Sequence, residues 1–274
     1  MIEKYFNKRK HNSQFSGKDV YRDKKINKKN YPLISIITVV YNNSAHIQKT
    51  LNSIYNQKYN NFEIIVVDGG SNDNTLNIIK KNDNKINFWI SESDRGIYDA
   101  FNKGMQLCNG DYLGFVNSDD ILKPNALKIL VKYIRKNPKA DFFFGAVKKH
   151  WGVLYGYKPW KIYFSWGFYS SHSTGFFIKK NSAEKVGNYN LKYKYSADYD
   201  YFFRMIVKKK MKGIATKKEE LFGIFNRGGF SSRVKFIDHF KEEIKIRNDN
   251  GQSKIILALI IIYKVIKNYR RLTS

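Results

Sequence analysis

The chain has 274 residues, of which 42% are hydrophobic, and its formal net charge is +27. This length and apolar content exclude a disordered chain and allow one large domain or two small ones. The single cysteine, Cys108, excludes an internal disulfide and a cysteine-based zinc cluster, and it fits a reducing compartment. The charge indicates an anionic partner, which can be nucleic acid, a phosphorylated ligand or acidic lipid.

Residues 1–31 are polar, basic and without periodicity, so we expect a mobile arm. They lack the apolar stretch of a signal peptide. No segment of the chain reaches the roughly 18 consecutive apolar residues of a membrane span. We therefore expect a cytoplasmic protein.

From Pro32 onward, apolar strand patterns alternate with amphipathic helix patterns. The strands are expected at 33–40, 62–67, 86–90, 111–116 and 141–147, and the helices at 44–57, 72–82, 99–107 and 125–137. This alternation predicts an α/β fold with a mostly parallel, doubly wound sheet, in a domain spanning residues 32–235.

The second half is less regular. An aromatic stretch predicts short antiparallel strands, and an amphipathic helix is expected to begin near Ser196. We expect residues 236–274 to form a helical, amphipathic tail, in which an apolar run is mixed with lysines. Three interpretations of the tail stay open: an interfacial helix at anionic lipid on the cytoplasmic face of the inner membrane, a helix packed on the domain, or half of a homodimer contact.

Polar clusters follow the first four apolar strands: "YNN" after Val40, "DGGSND" after Val67, "SESDRG" after Ile90 and "NSDD" after Val116. Because ligands of open α/β sheets bind beyond the carboxyl ends of the strands, these clusters predict one site. The glycines after Asp68 allow close approach of a ligand, although neither a Walker loop nor the dinucleotide spacing is present. The oxygens of "NSDD" suit Mg²⁺ or Mn²⁺ held jointly with a diphosphate. A helix-capping turn is the alternative for "DGGSND" and for "NSDD".

Five segments in order, "PLISIITVVYNN", "VVDGGSNDNT", "SDRGIYDAFNKG", "GDYLGFVNSDD" and "SADYDYFFRM", resemble the family 2 glycosyltransferases. The closest likeness is to bacterial enzymes that build capsule, lipopolysaccharide or exopolysaccharide. The resemblance implies the GT-A fold: a Rossmann-like, mostly parallel sheet flanked by helices, an irregular C-terminal acceptor half and a C-terminal helix.

The resemblance also implies a donor pocket, with Asp68 near the base and with Asp99 and Asn102 shaping the pocket. For Asp120 it leaves open whether the residue binds a sugar hydroxyl or supports the loop. The residues expected at the donor are Thr38, Tyr41, Asp68, Gly69, Asp94, Arg95, Gly96, Asn102, Asn117, Ser118 and Asp120.

The family's metal motif is usually written D-x-D, and here Asn117 occupies its first position and Asp119 its second. Asp119 is therefore the expected metal ligand. Asp198 matches the position of the catalytic base, and a simple N-cap is its alternative. His172 falls near the expected acceptor side, and a structural role is equally open for it.

The resemblance thus implies an inverting, metal-dependent transfer of sugar from a nucleotide-diphosphate donor, expected to be a UDP-sugar, to a saccharide or lipid-linked saccharide. The alternatives are a basic nucleic-acid-binding protein and a nucleotide-sugar-binding protein without catalysis. No nucleic acid is expected as a partner, since the sequence lacks a recognisable helix-turn-helix, zinc-finger or RRM signature.

Overall fold

The structure, a computed structural model, describes residues 14–17, 31–164, 173–226 and 234–268. Its first half alternates strands and helices as the sequence predicts. In chain order the elements are β1 (Gln14–Gly17), β2 (Ile34–Val40), α1 (Ile47–Tyr55), β3 (Phe62–Asp68), α2 (Thr75–Lys81), β4 (Phe88–Ser91), α3 (Ile97–Leu107), β5 (Tyr112–Phe115), β6 (Ile121–Leu122) and α4 (Ala126–Lys136).

The second half contains shorter strands and the helices that complete the domain. In chain order these are β7 (Phe142–Phe144), β8 (Ala146–Lys149), β9 (Gly152–Leu154), a 3₁₀ turn (Pro159–Tyr163), β10 (Phe176–Lys179), α5 (Lys180–Val186), α6 (Ala197–Phe203) continued by a π-helical turn (Arg204–Lys208), β11 (Gly213–Ala215), β12 (Leu221–Ile224), α7 (Phe236–Asp249) and α8 (Lys254–Lys267).

The large sheet has the strand order β1-β4-β3-β2-β5-β10-β7-β11. Strands β4, β3, β2 and β5 are mutually parallel neighbours, so their carboxyl ends lie at one edge. This confirms the predicted sheet. β1 pairs antiparallel with β4 at the sheet margin. The sequence does not predict β1, because its "QFSG" segment lies in a polar region without strand periodicity.

A smaller sheet has the order β6-β12-β8-β9. The expectation of one continuous strand at 141–147 is wrong, since the chain leaves the large sheet after Phe144 and enters the small sheet at Ala146. The break is at Gly145, where an added Cβ would lie 2.0 Å from Cγ of Phe222. A side chain at this position would therefore collide with the ring that packs between the two strands.

Successive residues of the central strands point alternately into two apolar layers, one on each face of the large sheet. Ile37 and Ile65 pack in the layer that contains α3 and α6, whereas Ile36 and Ile64 pack in the layer that contains α1 and α4. Strands buried on both faces need continuous apolar runs rather than alternation, which explains the sequence pattern. The sheet is thus a rigid support for the loops at its carboxyl edge.

Helix α7 is part of the domain core. Ile246 belongs to the same buried layer as α3 and α6. The guanidinium of the fully buried Arg247 donates to Glu243 at 2.8 Å and to the carbonyl of Tyr163 at 2.8 Å. Glu243 also pairs with Lys264 of α8. These contacts bind both C-terminal helices to the rest of the domain, so the first part of the predicted tail packs on the domain.

Candidate active site

Asp68, at the end of β3, organises the first polar loop. Its buried carboxylate accepts from the Ser71 amide at 3.1 Å, from the Ser71 hydroxyl at 2.5 Å and from the Ser91 hydroxyl at 2.6 Å. These bonds fix the loop between β3 and α2 and join it to the end of β4. A carboxylate has about four acceptor positions, so Asp68 can still accept from a ligand.

Tyr41, Gly69 and Asp94 meet at the mouth of this loop. A Cβ added to Gly69 would lie 2.5 Å from Oδ2 of Asp94 and 3.4 Å from Cδ2 of Tyr41. The Tyr41 side chain is exposed. Gly69 therefore lets a carboxylate from the loop after β4 approach a ring from the loop after β2, and the structure brings these three predicted donor residues together.

Thr38 lies within β2 and is fully buried. Within the described structure its hydroxyl oxygen has no hydrogen-bond partner. Buried polar atoms are nearly always satisfied by protein or by ordered water. Thr38 is therefore an exception among the buried polar side chains of the described structure.

The loop after β4 turns tightly into α3. Gly96 precedes the helix with φ +105°, a conformation that favours glycine, and its amide donates to Asp94 at 2.8 Å. The Arg95 amide donates to Asp99 at 3.1 Å, while its guanidinium extends outward and lies 3.5 Å from the same carboxylate. Burial raises the pKa of Asp94 above its ordinary value. The loop thus presents one partly desolvated carboxyl group and one exposed cation.

Lys103 of α3 is a residue that contacts this loop and that sequence analysis missed. Its buried ammonium lies 2.9 Å from Glu92 and donates to the carbonyl of Ser93 at 2.9 Å. A lysine on an amphipathic helix is ordinarily a solvent-exposed residue, so no sequence signal marks it. Its contacts hold the loop against α3.

Asn102 shapes the site from behind. Its amide nitrogen donates to the carbonyl of Tyr189 at 3.0 Å, and its amide oxygen accepts from the Tyr189 amide at 2.8 Å. Both polar atoms of this buried side chain thus bond to one backbone position. Asn102 therefore joins α3 to the segment that leads to α6. Such bonds are compatible with the expected role of Asn102 in shaping the pocket rather than with direct contact with a donor.

The two adjacent carboxylates after β5 have different surroundings. Asp120 is buried and accepts from Ser173 at 3.0 Å, Thr174 at 2.6 Å and the Asn226 amide at 3.3 Å. Burial raises its pKa to about 7. Asp119 is less buried, and burial also raises the pKa of its carboxyl group. The three bonds of Asp120 join the loop after β5 to residues 173, 174 and 226, whereas Asp119 is the more exposed of the two carboxylates.

Asn117 and Ser118 complete this cluster. The Ser118 hydroxyl accepts from the Asn43 side chain at 2.9 Å, which joins the loop after β5 to the loop after β2. Oδ1 of Asn117 is buried and has no hydrogen-bond partner within the described structure. An amide oxygen beside a half-buried carboxylate is a ligand pair for a hard cation.

Asp198 lies in the first turn of α6 and is joined to the donor side through α3. The Tyr98 hydroxyl lies 3.0 Å from Oδ1 of Asp198 and 3.1 Å from the carbonyl of Tyr195. The neighbouring acid Asp200 is buried and accepts from Arg204 and Asn250, both at 2.9 Å. Of the two acids on this helix, Asp198 is the partly exposed one.

The segment before α6 is held by a carboxylate that sequence analysis missed. Glu242 of α7 accepts from three consecutive backbone amides, those of Lys194 at 2.5 Å, Tyr195 at 2.7 Å and Ser196 at 2.6 Å. The Ser196 hydroxyl also lies 3.2 Å from Nδ1 of His239. A single glutamate on a distant helix carries no motif, so only the tertiary structure identifies it.

His172, the predicted acceptor-side residue, lies outside the described residues.

A family model independently identifies the chain. The model described as glycosyl transferase family 2 matches residues 35–209, a segment that contains β2 through the π-helical turn after α6. The chain belongs to the family 2 glycosyltransferases. The matched segment includes all of the strand-end clusters described above together with Asp198.

Three relatives of this family 2 glycosyltransferase illustrate its place among known proteins. It is 31% identical over 182 residues to a PGL/p-HBAD biosynthesis glycosyltransferase of Mycobacterium bovis, covering 63% of this chain and 69% of that protein. It is 37% identical over 112 residues to a chondroitin synthase of Escherichia coli, covering 40% of this chain and 16% of that protein. It is 37% identical over 111 residues to an uncharacterized glycosyltransferase of Haemophilus influenzae, covering 39% of this chain and 34% of that protein.

Solved structures share the fold of this glycosyltransferase. S. aureus TarS superposes with a TM-score of 0.64 at 19% identity over 85% of this chain and 43% of that one. A TarS fragment in complex with UDP-GlcNAc gives 0.63 at 18% identity over 85% and 72% of the two chains. The mannosyltransferase PcManGT from Pyrobaculum calidifontis, in complex with GDP-Man and Mn²⁺, gives 0.62 at 16% identity over 84% and 68%. These likenesses confirm the GT-A fold.

Candidate metal ligands are sparse in the described part of this glycosyltransferase. Among the described residues, no group of three or more His, Cys, Asp or Glu side chains forms a candidate metal site. The orphaned oxygen of Asn117 and the desolvated carboxylate of Asp119 nevertheless fit a cation that takes its other ligands from phosphate and water. The residues present therefore suit a shared cation rather than a cation held by protein alone.

Proposed function

We propose that this family 2 glycosyltransferase transfers a sugar, with inversion, from a UDP-sugar to a saccharide or lipid-linked saccharide during synthesis of a bacterial surface polysaccharide. The observation that carries the proposal is the hydrogen bond between Tyr98 and Asp198. It connects the partly exposed carboxylate of α6 to the helix that follows the "SDRG" loop. This bond supports the proposal because it joins the acid to the helix that begins at one of the strand-end loops.

The donor class rests on the loops after β2, β3 and β4. Tyr41 provides an exposed ring, Asp68 a buried acceptor for base or ribose donors, and Thr38 an unsatisfied hydroxyl. The exposed guanidinium of Arg95 suits a phosphate. TarS, a neighbour in fold, has been solved with UDP and with UDP-GlcNAc, which supports UDP as the nucleotide tested first.

The proposed chemistry needs one proton transfer and one displacement. Asp198 accepts the proton of an acceptor hydroxyl, as a general base does. The acceptor oxygen then forms a bond to the anomeric carbon while the bond from that carbon to the diphosphate oxygen breaks. The electron pair leaves with the nucleoside diphosphate. Because attack occurs opposite the leaving group, the anomeric configuration inverts.

Asp119 and Asn117 are the residues that would hold Mg²⁺ or Mn²⁺. When bound, such a cation supplies positive charge that stabilises the departing diphosphate. Two observations support this proposal: Oδ1 of Asn117 has no hydrogen-bond partner in the described structure, and the neighbouring Asp120 is bonded to Ser173 and Thr174. Asp120 thus supports the loop and leaves the cation to its neighbours.

The decisive experiment screens nucleotide-sugars for hydrolysis and transfer in the presence of Mg²⁺ or Mn²⁺. We expect turnover of a UDP-sugar. We expect Asp198→Asn to lose transfer while it keeps donor affinity, and Asp238→Asn on α7 is the matched control. Normal turnover by Asp198→Asn would refute the assignment of the base. Donor binding without hydrolysis or transfer in the parent protein would instead indicate a sugar-nucleotide-binding protein.

A further inference from the structure

Helix α8 carries two apolar stripes on opposite sides. Leu257 and Ile260 face inward and are buried. The outward stripe consists of Ile255, Leu259, Ile262 and Ile266, whose exposed fractions run from 56% to 75%. These four positions recur at helical spacing and form one continuous row. A row of large aliphatic side chains in water is unusual and indicates a surface that meets another apolar phase.

A second exposed apolar group lies beside the start of this helix. The aromatic turn, residues 159–164, exposes Trp160, Tyr163 and Phe164. The carbonyl of Tyr163 accepts from the side chain of Gln252 at 2.6 Å, two residues before α8 begins. The aromatic turn and the outward stripe of α8 are therefore neighbouring parts of one surface.

The two segments that form this surface carry charge of one sign. Residues 148–164 and 254–274 contain no aspartate or glutamate, and they include Lys158, Lys161, Lys254 and Lys267. The whole chain carries +27, so a second copy would be repelled at this surface. An anionic lipid surface would be attracted to the same lysines.

We propose that the outward stripe of α8 and the aromatic turn together dock this protein on an anionic phospholipid membrane. α8 has 14 residues, and no helix in the described part of the chain is long and apolar enough to cross a bilayer. An amphipathic helix of this kind lies in the membrane plane, with its apolar row among the acyl chains and its lysines at the headgroups. Tryptophan and tyrosine side chains are typical of the same interfacial depth.

The docking surface is bonded directly to the helix that carries the proposed base. The Tyr199 hydroxyl donates to the carbonyl of Ile162, within the aromatic turn, at 2.7 Å. Tyr199 is the residue after Asp198 on α6. This inference therefore rests on the proposed function and deepens it, because a membrane-held, lipid-linked acceptor would reach Asp198 across a short stretch of protein.

Vesicle sedimentation of the full chain tests the proposal. The vesicles contain phosphatidylglycerol with phosphatidylethanolamine, and neutral phosphatidylcholine vesicles are the comparison. We expect the parent chain to bind the anionic vesicles only. The double variant Leu259→Gln/Ile266→Gln should lose at least about tenfold in partition, because two exposed aliphatic side chains no longer enter the acyl region.

A second pair of variants tests the contribution of the lysines to vesicle binding. Lys254→Glu/Lys267→Glu reverses two charges at the proposed docking surface, and Lys80→Glu/Lys81→Glu is the control. The control pair changes the net charge equally but lies on α2, which packs in the opposite apolar layer of the sheet from α7. We expect at least about a tenfold loss for the first pair and little change for the control. Equal losses for both pairs would mean unspecific attraction of a basic protein and would overturn the proposal.

Two further outcomes would also overturn it. One is unchanged vesicle binding by the Leu259→Gln/Ile266→Gln variant. The other is a parent dimer in the ultracentrifuge that this variant dissociates, which would assign the surface to a second copy. All of these readouts are independent of catalysis, so vesicle binding can fail while UDP-sugar turnover remains, and the reverse.

Discussion

Glu242→Ala should lower turnover without weakening donor binding. The substitution removes the only carboxylate that accepts from the amides of Lys194, Tyr195 and Ser196 in the described structure. A hydrogen bond to a charged group contributes roughly 1.5–3 kcal/mol. Because water can replace the most exposed of the three, two bonds are lost, and we expect the segment to lose about 3–6 kcal/mol. That is enough to let the first turn of α6 shift.

The consequence for catalysis follows from the place of this turn. Asp198 lies two residues after Ser196, so a shift of the segment moves the proposed base. A misplacement of about 1 Å can cost on the order of 100-fold in rate, and we therefore expect kcat to fall about 10–100-fold. The KM for the donor should change by less than about twofold, because the donor loops follow β2, β3 and β4.

The assay combines steady-state transfer kinetics with calorimetric titration of UDP. Glu242→Gln should retain intermediate activity, since its single amide oxygen can accept from only some of the three amides. Asp238→Ala, a loss of charge on the same helix, is the control. Parent-like kcat in Glu242→Ala would refute the reasoning. A fall in kcat matched by an equal fall in UDP-binding stoichiometry would refute it as well, because it would reflect unfolded protein.

Three other substitutions or treatments have definite expected outcomes. Tyr98→Phe removes the hydroxyl shared by Asp198 and Tyr195, and kcat should fall by about tenfold with unchanged UDP affinity; unchanged kcat would contradict a positioning role. Asp119→Ala should abolish the effect of Mg²⁺ or Mn²⁺ on turnover together with most activity, and an active variant that ignores metal would contradict the cation assignment. Cys108 is buried, and burial raises the pKa of its thiol, so thiol reagents should label it only after denaturant unfolds the chain; rapid labelling of the native protein would show that the core opens locally.

Much of the donor half could be predicted from the sequence because its signals are local. Apolar β-branched runs identify β2 and β3, and polar residues that follow such strands must collect at one edge of a parallel sheet. The family resemblance added roles for individual positions. It could not distinguish the buried Asp120, which supports a loop, from its neighbour Asp119, since that difference depends on Thr174 and Asn226.

The acceptor half could be predicted less well because its decisive contacts are distant in sequence. Glu242 bonds to amides 46 to 48 residues earlier in the chain. Asn102 bonds to Tyr189 across 87 residues. The division of 141–147 between two sheets depends on Phe222 packing against Gly145. Periodicity and composition describe the segment in which a residue lies, and they contain no information about such partners.

The three hydrogen bonds that Glu242 accepts have a consequence for the order in which the site is completed while the protein is being translated. The strands and loops of the proposed donor side precede residue 120, whereas Glu242 and Arg247 follow α6 by some forty positions. Glu242 is translated after β1 to β12 and after α6, and α7 belongs to the same buried layer as α3 and α6. The segment ahead of Asp198 can therefore gain this contact only after all of these elements have left the ribosome, so the proposed base would be the last part of the site to be positioned.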